Sequence, residues 1–325
     1  MANERTFRGP FTAMWTALQD IRDKKGLIPP SPKEERLDGM TCLITGANTG
    51  LGLAIATELA RRGARLILAC RNGLDHVAKD IAAKTGNPAI RMEYVDLADI
   101  KSVDDLCARL DTQGVKLDRL ILNAGLVSQT AQKSVQGFET MFAVHYLANQ
   151  RLCMKLIASN IVPKGTGARI IAISSEAHRS APPMDMTQFG AFQPHSLSSA
   201  LTQYGHSKLA LSLMIRYLAK QLNPTGKSPE IGVFHMCPGP INSSIVRNAS
   251  PIMRWIAGAI MWLTFPSPEK AAQPAIHLIC SPELEGRSGE YMHLMRFKSP
   301  SDEAQNDALA QAVFSYGAQV LKNVS

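Results

Sequence analysis

The chain has no Cys-x-x-Cys pair, no low-complexity segment, no internal repeat and no run of basic residues. Its six cysteines (Cys42, Cys70, Cys107, Cys153, Cys237 and Cys280) are scattered, several of them inside apolar strand patterns. A thiol placed so behaves as a small hydrophobe, which disfavours a disulfide scaffold or zinc module and fits a reducing compartment. Lys and Arg number 35 against 27 Asp and Glu, a net charge of +8, but they are dispersed and not interleaved with aromatics. That is no nucleic-acid footprint; an anionic ligand or an acidic lipid fits better. Met1 to Pro10 is polar and the next stretch is broken by charge, so no signal peptide is read there. The most apolar segment, residues 251–265, is too short to span a bilayer unaided. The expected location is cytoplasmic, with peripheral membrane contact as an open alternative.

What is present is ordinary globular composition: 325 residues, 45% hydrophobic and 19% charged. Nothing reads as a linker, so one α/β domain over residues 39–325 is expected, after an N-terminal extension over residues 1–38. In that extension Phe11, Met14, Trp15, Leu18 and Ile21 share one helical face. The face suits packing on the body of the protein, a homodimer contact, or a membrane-surface anchor with Arg22, Lys24 and Lys25 toward lipid.

The chain is organised around Thr45-Gly46-Ala47-Asn48-Thr49-Gly50-Leu51-Gly52. An apolar strand pattern, Met40 to Ile44, leads in, and an amphipathic helix pattern, Leu51 to Arg62, leads out. Strand, glycine turn and helix together bring free backbone N–H groups and a positive helix end against a pyrophosphate. Gly46 serves the tight turn, Gly50 close approach to phosphates, and Gly52 close packing of helix on strand. A second strand pattern, Arg65 to Cys70, ends at Arg71, where an NAD-binding fold usually carries an acid for the ribose 2′-hydroxyl. The missing carboxylate favours NADP(H).

Further strand patterns follow at residues 90–97, 117–125, 169–175 and 231–237, with helical patterns between them. About seven strands in a Rossmann-type, doubly wound parallel sheet with helices on both faces are expected. A long helix is read at about 137–161, an excursion over 178–199, a helix opening near Tyr204 and running to about Leu222, and a polar helical tail at about 303–321.

Tyr204 and Lys208 lie one helical turn apart on the same face. An ammonium there should lower the phenol's pKa toward working pH. Ser175, at the end of a neighbouring strand, can donate to a carbonyl oxygen as negative charge develops on it. This is the protein's share of nicotinamide hydride transfer: a proton and a grip on the oxygen.

With the glycine turn, Asn123-Ala124-Gly125, Ser174-Ser175 and Tyr204-x-x-x-Lys208, the chain resembles the short-chain dehydrogenase/reductase superfamily over about residues 38–295. Leu68-Ala-Cys-Arg71, Ser174 to His178, Ser207-Lys208-Leu209-Ala210 and Gly286-x-Ser288-Gly289-x-Tyr291 resemble its retinol-dehydrogenase-like branch. The resemblance implies oxidation or reduction of apolar alcohols, aldehydes or ketones with NADP(H). It implies that Ser175, Tyr204 and Lys208 are catalytic. By the same resemblance Thr45, Gly46, Asn48, Thr49, Gly50, Leu51, Gly52, Arg71, Asp96, Leu97, Asn123, Ala124, Gly125, Tyr204, Lys208, Pro238, Gly239 and Ser243 meet the cofactor. Asp96 and Leu97 lie beside the adenine, Asn123 ties adjacent strands and Gly125 leaves room. Apart from the resemblance, Asp96 can cap the helix beginning near Ile100.

One departure concerns Val144-His145-Tyr146-Leu147, where the family usually has Val-Asn-His-Leu. The asparagine holds a water linking the lysine to solvent. His145 is therefore expected in the mechanism as part of an altered proton relay, or else as a packed helix histidine. The segment over about 244–266 falls where the family places its substrate lid, and its apolar character implies a lipophilic small-molecule substrate. His178, His206 and His235 lack ligand spacing and are read as loop, helix-surface and strand residues, so no metal is expected. Two further readings remain: carbon–carbon double-bond reduction, as in protochlorophyllide-reductase-like relatives, and an NADP(H)-binding protein without turnover.

Overall fold

A computed structural model describes residues 26–223, 228–239 and 266–324 of the chain. The N-terminal helical face, the apolar segment of the expected lid, and Ser243 lie outside the described residues. Among the described residues eight strands form one sheet: β1 (Thr41–Thr45), β2 (Arg65–Cys70), β3 (Ile90–Tyr94), β4 (Arg119–Leu122), β5 (Arg169–Ile173), β6 (Gly232–Cys237), β7 (Tyr291–His293) and β8 (Arg296–Phe297). Their order is β3-β2-β1-β4-β5-β6-β7-β8, parallel except for β7–β8. The eighth strand escapes a reading by pattern because it has two residues, returned antiparallel by a tight turn at Leu294 with φ +52°.

The central strands are buried on both faces, which is why they read as continuous apolar runs without alternation. Helix α1 (Gly50–Arg61), α2 (Val77–Thr85), α6 (Pro268–Ala271) and α7 (Gln273–Cys280) lie over one face. Over the other lie α3 (Ile100–Thr112), α4 (residues 140–158), α5 (Leu197–Gln221) and α8 (Asp307–Asn323). Helix α4 runs through Thr140–Phe142, a π-helical turn at Ala143–Leu147, and Ala148–Ala158. Arg119 and Arg169 enter the core at the start of β4 and β5. Their guanidinium groups donate to the carbonyls of Ile279 (2.8 Å) and Leu278 (3.1 Å), satisfying the end of α7.

Two helices depart from their sequence patterns. Helix α5 begins at Leu197, seven residues before Tyr204, because Ser199 Oγ accepts from the Ser196 N–H (3.2 Å) and starts the helix inside the expected excursion. The polar tail is a docked helix: α8 is capped by Asn306, whose side chain accepts from Leu309 N–H (3.0 Å). It buries Ala310, Val313, Gly317 and Leu321. All six cysteines are free and buried. Among the described residues no helix is long and apolar enough to cross a membrane, and no three His, Cys, Asp or Glu side chains gather as a metal site.

Candidate active site

Strand order reverses between β1 and β4, and a parallel sheet opens a crevice at the carboxyl ends of the strands there. The glycine turn lines it. Gly46 and Gly50 have φ of +67° and +54°, a region that favours glycine. A Cβ on Gly46 would stand 2.9 Å from Ala124 Cα, and one on Gly52 would stand 2.3 Å from the Gly46 oxygen and 2.4 Å from Asn123 Nδ2. Nothing lies within 4 Å in front of Gly50, whose backbone faces open space. Thr49 makes no side-chain bond to the start of α1, and its first turn carries no acid. The N–H groups there are therefore left for an anionic ligand. Thr45 Oγ1 accepts from the N–H groups of Asn123 and Ala124 (both 3.0 Å), and Asn123 Nδ2 donates to the carbonyls of Thr45 (2.9 Å) and Gly46 (3.1 Å). Asn123 thus does join the first and fourth strands.

Arg71 is exposed past the end of β2, and its guanidinium lies 3.7 Å from Asp96. Asp96 accepts from Ala98 N–H (2.9 Å), but the cap of α3 is Asp99, which accepts from Lys101 N–H (3.0 Å). Leu97 is buried in the core. On the far side Gly239, with φ +79°, has Leu294 so close that a Cβ would come within 2.5 Å of it.

The catalytic candidates meet in the same crevice. A Cβ on Gly125 would lie 3.2 Å from His145 Nε2 and 3.5 Å from Lys208 Nζ. The Asn123-Ala124-Gly125 triplet therefore touches the glycine turn at one end and the lysine at the other. Lys208 is buried, donates to the Ile173 carbonyl (2.9 Å) and stands 5.7 Å from the Tyr204 ring. Burial lowers its pKa to about 8. Ser175 faces the Tyr204 hydroxyl and favours its charged form. The phenol departs from the expected direction: burial outweighs the influence of Ser175 and pushes it up to about 12.

His145 sits in the π-helical turn, fully enclosed, with its ring edge-on to Tyr204 at 5.5 Å. Its Nε2 accepts from Leu126 N–H (3.0 Å), so the ring hydrogen belongs on Nδ1, which meets Ser207 Oγ at 2.8 Å. Ser207 in turn donates to the Tyr204 carbonyl (2.8 Å). Burial, then the charge of Lys208, hold the imidazole pKa well below its ordinary value. Both ring nitrogens are engaged.

The sequence reading missed the ground behind Ser175. Glu176, set apart by nothing but its place in a family run, receives Arg179 (2.9 Å), Lys298 (3.2 Å) and the Tyr291 hydroxyl (2.6 Å). Burial alone would raise its carboxyl, yet the neighbouring His293, Arg179 and Lys298 bring it down to about 2. His178, read as a loop residue, lies in the 3-10 turn Glu176–Ser180 and is buried. No local signal announces this cluster, because Tyr291 and Lys298 lie more than a hundred residues from Glu176.

A family model described as short chain dehydrogenase matches residues 40–191. Retinol dehydrogenase 13 of Mus musculus is 33% identical over 297 residues, covering 89% of this chain and 86% of that protein. The chain belongs to the short-chain dehydrogenases. Retinol dehydrogenase 11 of Homo sapiens is 32% identical over 292 residues, covering 88% and 87%, which places this short-chain dehydrogenase in the retinol-dehydrogenase-like branch. Among solved structures, the Pseudomonas aeruginosa RhlG/NADP active-site complex superposes with a TM-score of 0.61 at 24% identity, covering 81% of this chain and 98% of that one. The oxidoreductase yciK from E. coli gives 0.62 at 22%, covering 82% and 99%. These two likenesses concern the fold. As a short-chain dehydrogenase the protein is an oxidoreductase of alcohol or carbonyl groups that takes a nicotinamide cofactor.

Proposed function

We propose that this short-chain dehydrogenase uses NADP(H) to interconvert an apolar alcohol with its aldehyde or ketone. The observation that carries the reading is the continuity of one crevice, from the uncapped start of α1 through Gly125 to Lys208 and Tyr204. Thr45, Gly46, Asn48, Thr49, Gly50, Leu51, Gly52, Asp96, Leu97, Asn123, Ala124, Gly125, Pro238 and Gly239 form the cofactor's bed, and Arg71 supplies the cation for a 2′-phosphate. Bound there, the nicotinamide supplies or accepts the hydride. Ser175 and Tyr204 hold the substrate oxygen. A phenol near 12 keeps its proton at neutral pH and can release it to that oxygen in the reductive direction. Lys208, close to half-way through its titration at pH 8, supplies a positive charge beside the pair. We assign His145 a positioning role as a neutral tie between Leu126 and Ser207, because neither ring nitrogen is free to pass a proton. The relatives' name, retinol dehydrogenase, supports an apolar substrate.

The test is NADPH and NADH consumption against lipophilic aldehydes, ketones and enones, with product analysis. Faster turnover with NADPH and a carbonyl-to-alcohol product are expected. Saturation of an enone product with its carbonyl intact would move the assignment to double-bond reduction. NADPH binding without turnover on any member would make it a binding protein.

A further inference from the structure

Ser175, two residues past β5, is in extended backbone and caps a 3-10 turn, Glu176–Ser180, its Oγ accepting from Ala177 N–H (3.2 Å). Where that Oγ points depends on how the Ser175 peptide is rotated. The Ser175 carbonyl is held twice by one residue: by the His178 N–H at 3.1 Å and by its ring Nδ1 at 2.6 Å. The other ring nitrogen, Nε2, accepts from the N–H of Ser301 at 3.0 Å. Accepting at Nε2 leaves the ring hydrogen on Nδ1, so the tautomer is set and the ring donates to Ser175. His178 is 1% exposed, so water does not compete for either bond. Tyr291 packs edge-on against the ring at 5.5 Å, and its hydroxyl is spent on Glu176 (2.6 Å). Glu176 receives Arg179 and Lys298, and Arg179 also donates to the Ser299 carbonyl. The turn after Ser175 is thus clamped to residues 291–301, the stretch that also sets Leu294 against Gly239.

We propose that His178 is a positioning residue for the reaction, a double-ended strut that transmits the fixed backbone of Ser301 to the Ser175 carbonyl and so sets the direction of Ser175 Oγ. Two opposed hydrogen bonds at separate backbone sites fix the ring at both ends and so couple the position of Ser175 to that of Ser301. A metal ligand needs a free nitrogen, and His178 has none. The inference rests on the reading above, in which Ser175 holds the substrate oxygen.

Three variants test it. In His178→Asn the amide can replace Nδ1 toward Ser175 but falls short of Ser301. In His178→Gln the amide oxygen can reach Ser301 but no donor stands at Nδ1. His178→Leu removes both. With the carbonyl substrate turned over best by the wild type, His178→Gln and His178→Leu are expected to lose kcat at least tenfold, with NADPH Kd unchanged within twofold. His178→Asn should keep at least a third of kcat although its melting temperature falls as far as that of His178→Gln. Kcat within twofold of wild type in His178→Gln would overturn the proposal, as would kcat falling in step with melting temperature across the variants. If His178→Leu fails to fold, the Asn and Gln pair decides. If the wild type turns over no carbonyl at all, the reading of Ser175 fails separately. Amide exchange at residues 175–177 then decides the strut: faster exchange in His178→Gln than in His178→Asn supports it, and equal exchange overturns it.

Discussion

The two walls of the crevice are built from different materials. The β1–α1 wall is backbone: three glycines, an uncapped helix start and a threonine–asparagine stitch, with one exposed arginine at its edge. The β5–α5 wall is side chain: a buried lysine, a buried imidazole, and a carboxylate receiving two cations and a phenol. A backbone wall offers fixed N–H donors, with no charge to desolvate when the partner is absent. A side-chain wall carries charge into the interior, where each ionised group must be held against its loss of water. The first suits a ligand that comes and goes; the second suits chemistry that needs shifted proton affinities.

The comparison breaks most visibly at Tyr204. Tyr204→Phe is expected to reduce kcat by roughly 10²–10⁴, the range for removing a positioned acid–base group, with NADPH affinity unchanged within about threefold. A joint loss of rate and affinity, measured by steady-state kinetics and fluorescence titration, would erase the division of labour between the walls. Gly52→Ala acts on the other wall. Its Cβ would meet backbone and Asn123 at 2.3 and 2.4 Å, so NADPH affinity should fall at least about tenfold, with a lower melting temperature, as overpacking costs about 1–3 kcal/mol.

Lys208 sharpens the contrast through stability. Its folded pKa, about 8, lies below the unfolded 10.5, so the unfolded chain binds more protons between those values and stability should rise as pH increases from 8 to 10.5. The fall from 10.5 to about 8 corresponds to about 3 kcal/mol against the fold at neutral pH, partly offset by about 1 kcal/mol from the bond to Ile173. Lys208→Met should therefore be inactive yet more stable at pH 7 by about 1–2 kcal/mol in denaturant unfolding, with the gain vanishing toward pH 10.5. A destabilised variant at pH 7 would show that the ammonium is held by more than it loses. The smallest effect belongs to Arg71. It is 62% exposed, so Arg71→Ala should weaken NADPH by about tenfold, or about 1.4 kcal/mol, and leave NADH alone. Equal weakening of both cofactors would remove its role at the 2′-phosphate.

The same division governs what could be read from sequence. Glycines at fixed spacing after an apolar strand have one mechanical use, so the β1–α1 wall and the sheet were legible from Thr45 to Gly52 and from the apolar runs. Tyr204 and Lys208 were legible because four residues is one helical turn. The sign of the Tyr204 shift was not, since spacing reveals a neighbouring amine but says nothing of how far both groups leave water. Glu176 and His178 were illegible as a network. Their partners Tyr291, Lys298 and Ser301 join them only through the crossover that brings β7 beside β6. The start of α5 was misplaced because a serine pair reads equally well as loop. The docking of α8 depended on Gly317, where a Cβ would collide with Gln150 and Tyr146, and one small residue in a polar helix leaves no periodic trace.

The π-helical turn at Ala143–Leu147 holds one residue more than an α-helical path would need. One residue is about 100° of helical rotation, so the two arms of α4 are out of phase by that angle. Tyr146 can then bond the Val313 carbonyl on α8 while its neighbour His145 reaches Leu126 and Ser207 on the crevice side. Removing a single residue from the wide turn would restore an uninterrupted helix of better local energy and swing Phe142 and the capping Glu139 to a new bearing. In this helix the extra residue sets the bearing of one arm relative to the other.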